Sequence, residues 1–140
     1  MSRDGRAALV AAIAIVVVIV LGFRLLGGPG TQRLVRSDER TVRTLAELAQ
    51  KIQQKWRASN SQLPPTLDGF SEKEKQDPLT HKPFAYHPKS ASAYELCATF
   101  VTDNRHQEPG EAEDAWRHPR GDFCFPLDAT QSVPNAPYYY

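Results

Sequence analysis

The chain lacks most of the short patterns by which catalytic and metal-binding proteins announce themselves. Two cysteines without a C-x-x-C exclude a zinc ribbon and a thioredoxin-type redox pair, and without C-x-x-C-H there is no covalent haem. Its four histidines, His81, His87, His106 and His118, form no H-x-x-x-H pair, so no helix presents two imidazoles to one ion. Each is expected on the surface. A G-x-S-x-G nucleophile elbow and a phosphate-cradling glycine loop are missing too. Seventeen basic and sixteen acidic residues leave a formal charge of +1, which argues against a nucleic-acid partner. These absences point to a protein that is not an enzyme, with no cofactor and no resident metal.

What the chain does have is one long apolar run. Ala7–Phe23 is uninterrupted and dense in Ala, Val and Ile, and extended through Leu26 it reaches about 20 residues, or roughly 30 Å of helix. Residues 1–28 are therefore expected to be a transmembrane signal anchor, with residues 7–26 in the lipid bilayer. No small-x-small site follows that would release it as a signal peptide. Arg24, Arg33, Arg36, Arg40 and Arg43 lie after the run and only Arg3 and Arg6 before it, which by charge count favours a cytoplasmic domain. A cysteine pair argues for the other side.

Gly27-Gly28-Pro29-Gly30 should interrupt the helix, making residues 29–36 a hinge. A second helix is expected from Ser37 or Asp38 to about Ala58. Ser37 serves as its N-cap, acidic residues fill the first turn, and Lys55 and Arg57 the last. Val42, Leu45, Ala49, Ile52 and Trp56 form one apolar stripe at spacings of three and four, suited to packing on a sheet. Thr66 through Phe70 reads as one short helical turn, and Asp77-Pro78-Leu79-Thr80 as a type I turn.

Three strands follow. Pro83–His87 places Phe84 and Tyr86 on one face. Ala93–Val101 alternates, with Tyr94, Leu96, Ala98 and Phe100 one way and Glu95, Cys97, Thr99 and Val101 the other. Asp122–Leu127 sets Phe123 and Phe125 against Cys124, and Pro126 should end it. Cys97 and Cys124 are expected to pair as a disulfide, contributing about 3–4 kcal/mol by loop closure and implying an oxidising compartment. Between these strands, Thr102–Gly121 is a long charged loop in which Trp116 is expected to fold back as a lid. Residues 129–140 carry no core pattern and read as a flexible tail.

The order of these elements resembles the major pseudopilins of type II secretion. Leu63-Pro64-Pro65-Thr66-Leu67, then Asp77-Pro78-Leu79-Thr80-His81-Lys82-Pro83-Phe84-Ala85-Tyr86, is similar to that family's "LP…L" and "DPWG.PY.Y" segments. The likeness covers Ser37–Val101, with His81 standing near where the family has glycine. There is no peptidase site before the apolar run: Gly22-Phe23 comes at its far end and is followed by Arg24. The part from Tyr94 to Phe125 also resembles uncharacterised bacterial single-pass membrane proteins.

The resulting expectation is an α+β chain: a membrane helix, a long amphipathic helix and a small antiparallel sheet of three or four strands, closed by one disulfide. Residues 37–128 would form the pseudopilin-like domain. Trp56, Tyr86, Tyr94, Phe100 and Trp116 are the core and interface candidates. The resemblance implies a protein of the bacterial inner membrane whose periplasmic domain mediates assembly with other envelope proteins. Alternatives are an accessory subunit of a larger membrane complex, or a module binding calcium or a small ligand through Asp103, Glu108, Glu111, Glu113 and Asp114.

Overall fold

A computed structural model of the chain describes residues 3–26, 29–106 and 114–136. Its elements are helices α1 (Arg3–Leu26) and α2 (Pro29–Ala58), strands β1 (Ala85–Pro88), β2 (Ala93–Phe100) and β3 (Gly121–Asp128), and a 3-10 turn at Asp114–Trp116. The chain divides into two compact units at the Arg33–Leu34 bond.

In the first unit, residues 8–23 of α1 are apolar on every side, and the side chains there are open to their surroundings, Val10 at 67% and Val18 at 68% exposure. Among the described residues no helix is long and apolar enough to cross a membrane.

Residues 29–36, expected as a hinge, are helical, and the boundary between the two units falls among them. α2 begins at Pro29, a position where proline's missing N–H costs nothing and its fixed φ already suits the helix. Ser37 is consequently an interior residue rather than a cap, and its carbonyl accepts the Thr41 hydroxyl at 3.3 Å. The far end is closed as its sequence allows. Asn60 and Ser61 take left-handed φ values of 52° and 60°, and the Ser61 N–H returns to the Trp56 carbonyl at 3.1 Å. After it, the expected helical turn at Thr66–Phe70 is a single hydrogen-bonded turn, closed by one Phe70 N–H to Leu67 C=O bond of 3.1 Å.

The second unit packs the apolar stripe of α2 on the inner face of an antiparallel sheet ordered β1-β2-β3. Val42, Leu45, Leu48, Ala49 and Ile52 from the helix meet Tyr94, Leu96, Phe100 and Phe125 from the strands, all essentially buried. The alternation of β2 is the one read from its sequence, with Cys97 on the outer face.

Both strand prolines are accommodated by the same rule. The Lys89 N–H bonds the Ala93 carbonyl at 2.8 Å, so odd-numbered residues of β2 turn their backbone groups toward β1 and even-numbered ones toward β3. Pro88 lies opposite Tyr94 and Pro126 opposite Glu95, positions where neither ladder asks for a proline N–H. β3 therefore does not stop at Pro126. It runs on to Asp128 as an edge strand whose missing donor faces outward.

Cys97 and Cys124 are directly opposite in the register, 3.9 Å apart at Cα, and joined as a disulfide. They belong to the same closely spaced, non-hydrogen-bonded set as Glu95–Pro126.

The expected loose tail is docked over 129–136, and 137–140 lie outside the described residues. Ala129 is 1% exposed, and its N–H donates to the Ser92 carbonyl at 2.9 Å. The Gln53 amide donates to the Ala129 and Gln131 carbonyls at 3.1 and 2.5 Å, while Val133 and Ala136 pack on the core. A segment without periodicity is held here by its backbone carbonyls. Replacing both cysteines by alanine should lower stability by about 3–4 kcal/mol, read as the shift of the urea unfolding midpoint.

Candidate functional site

The loop before β1 is shaped by one buried carboxylate. Asp77 accepts the N–H groups of Leu79 (2.9 Å) and Thr80 (2.7 Å), the Thr80 hydroxyl (3.0 Å) and the Thr41 hydroxyl from α2 (2.5 Å). Burial works against its charge, but these four donors outweigh it and hold the carboxyl below the ordinary aspartate value. The turn closes one residue later than a type I turn would, with the His81 N–H on the Asp77 carbonyl at 2.9 Å. That geometry puts His81 at φ 55°, the left-handed region that glycine enters without strain.

Between this loop and the outer face of the sheet lies an open cleft of about 340 Å³. The disulfide and Ala85 form its floor. Lys82 and His87 stand on one side, and Thr99, hydrogen-bonded to Asp122 at 2.5 Å, on the other. The cleft offers an apolar base, a cation, an imidazole and a carboxylate, enough to seat a polar side chain or a short extended segment.

The five aromatic candidates lie elsewhere, on the inner side. Tyr94, Phe100 and Trp116 are buried, so no partner reaches them without unfolding the domain. The Tyr94 hydroxyl donates to the Ala49 carbonyl at 3.4 Å, and burial pushes its phenol well up. Trp116 packs edge-on against Phe125 at 4.9 Å and donates its indole N–H to the Pro134 carbonyl at 3.1 Å. Trp56 and Tyr86 are half-buried and act as ties: the Trp56 indole reaches the Ala91 carbonyl at 2.9 Å, the Tyr86 hydroxyl the Pro64 carbonyl at 2.9 Å.

One histidine departs from the expectation. His81, His87 and His106 are exposed, whereas His118 is 1% exposed and stacks on Phe100 with ring centroids 3.7 Å apart. Its N–H donates to the Asn104 side-chain oxygen at 2.7 Å, and its carbonyl accepts the Asn104 N–H at 3.2 Å. Burial pushes the imidazole below its ordinary value, against the opposing pull of the Pro119 carbonyl and the charges of Asp38 and Asp103.

Asp38, next to the expected N-cap, is one of the acidic residues expected in a first helical turn. It is 4% exposed and accepts the N–H groups of Val101 (3.0 Å) and Thr102 (2.7 Å) together with the Thr102 hydroxyl (2.5 Å), capping the end of β2. Nothing near Asp38 in the sequence signals partners so distant.

Among the described residues, no three His, Cys, Asp or Glu side chains converge to hold a metal ion. Of the acids expected in a calcium loop, Asp103 pairs with Arg105 (2.5 Å) and Asp114 with Arg117 (2.6 Å), while Glu108, Glu111 and Glu113 lie outside the described residues. Comparison with protein-family models, curated proteins and solved structures finds no significant match to the chain.

Two measurements probe this region. The unfolded chain protonates His118 near 6.5 while the folded domain does so only at lower pH, so stability held above that value is lost as pH falls through it. His118→Gln should flatten that fall, seen by comparing urea midpoints on the two sides of pH 6.5. His81→Gly should raise stability by about 0.5–1 kcal/mol by removing left-handed strain, seen as a higher melting temperature.

Proposed function

We propose that the chain is a non-enzymatic, single-pass envelope protein of the bacterial inner membrane, anchored by residues 7–26. Its disulfide-stapled α+β domain lies on the periplasmic side and assembles with other membrane or envelope proteins. The observation that carries this reading is the pairing of two features in one chain. One is an apolar helix whose side chains are open to their surroundings on every face; the other is a domain closed by a covalent bridge. A helix apolar all round needs an apolar medium, and a bridge on an open sheet face survives in an oxidising compartment. Cys124 is itself exposed, so a reducing cytosol would have direct access to the bond.

The pseudopilin-like order of elements supports the assembly role. So does the outer sheet face, where the cleft beside the disulfide gives a partner both an apolar footing and charged rim groups. That cleft also favours a second reading, a module for a small polar ligand held between Lys82 and Asp122.

The anchor and the compartment are tested together. The full-length protein should stay with the membrane through alkaline carbonate, and its thiols should resist alkylation in intact cells until a reductant is added. Release by carbonate, or two freely alkylated thiols in native protein, overturns the proposal.

A further inference from the structure

The outward side of α2 carries an arginine stripe that the packing of the domain does not use. Arg36, Arg40 and Arg43 follow one another at helical spacings of four and three, on the side opposite the buried Asp38, Val42, Leu45 and Ala49. Arg33 continues the same spacing one turn earlier in the helix. All four are exposed, and among the described residues none has an ion-pair partner.

The acids that accompany them offset only part of this charge. Asp38 is spent on the backbone of Val101 and Thr102, and Glu39 is partly buried, its carboxyl raised by that burial against the pull of Arg36 and Arg43. Glu47 is the first exposed acid on the stripe's own line. Four arginines against Glu39 and Glu47 leave a local excess of positive charge in a chain of net charge +1.

We infer that this stripe lies against the anionic phospholipid headgroups of the membrane that holds the apolar run. The inference rests on the anchored reading above and names the surface its first helical turns would meet. Three observations favour lipid phosphate over an acidic protein. Every cation is arginine, whose planar fork binds phosphate oxygens in pairs. The stripe begins seven positions after Leu26, within a few turns of the apolar run, so tethering keeps headgroups at high local concentration. The stripe also has no aromatic anchor or groove of the kind that centres a protein interface; its neighbours along the helix are Glu39, Glu47 and the small polar Thr44.

Phenylglyoxal labelling of arginines in the full-length protein, read site by site by mass spectrometry, tests this. The protein is placed in nanodiscs of phosphatidylcholine alone or mixed with phosphatidylglycerol, with Arg57 and Arg120 as exposed internal references. Arg33, Arg36, Arg40 and Arg43 should react about fivefold more slowly in the anionic discs, and high salt should erase the difference while the references stay unchanged. Equal reactivity in the two lipids, in protein that vesicles of the same lipids retain through alkaline carbonate, overturns this inference and leaves the anchor standing. Protection that is the same in both lipids and resists salt also overturns it, in favour of a protein contact. Protein washed off by carbonate removes the anchor and this inference together.

Discussion

The covalent bond between Cys97 and Cys124 joins residues that face each other across β2 and β3, and so it sets the register of the sheet. A slip of one residue would turn every inward side chain of β3 out to solvent. With the register held, Leu96 lies opposite Phe125 and Ala98 opposite Phe123, and the inner face presents one continuous apolar surface to α2. Three short strands and one helix make a thin core. A cross-link between opposite residues is the economical remedy, because it adds stability without occupying core volume. It also leaves the outer face free, where the same sulfur atoms floor the cleft.

The second layer of constraint is polar and long-range. Asp38, Thr41 and Gln53 all leave the core side of α2, and each reaches a different loop: the end of β2, the turn before β1 and the segment after β3. Among the described residues no buried side-chain nitrogen or oxygen lacks a partner. Such groups are costly when unpaired and directional when paired. They place three loops that apolar packing alone would leave free to slide. The result is a rigid frame whose outer sheet face and outward helix face carry the charges and the cleft.

Sequence reasoning was strongest where periodicity and burial coincide. The alternation of Ala93–Val101 and the stripe from Val42 to Ile52 were legible because each side chain's face follows from its spacing alone. It failed where a local rule met a tertiary partner. Ser37 reads as an N-cap, yet Pro29 is an acceptable first residue of a helix and α2 already begins there. Pro126 reads as a stop, yet on an edge strand at a non-hydrogen-bonded position it interrupts nothing. His118 and Ala129–Ala136 carry no pattern, and they are buried because Phe100, Trp116 and Gln53 come to them from other parts of the chain.

The amino-acid order alone determined the helix stripe, the two faces of the central strand and the pair of cysteines able to meet. All of these are short-range properties, set by the repeat of the backbone. The tertiary structure decided which cysteine atoms lie opposite each other, which histidine is buried, where the carboxylates of Asp38 and Asp77 find their donors, and that a cleft opens over the disulfide. Those depend on contacts between residues tens of positions apart, and no local spacing encodes them.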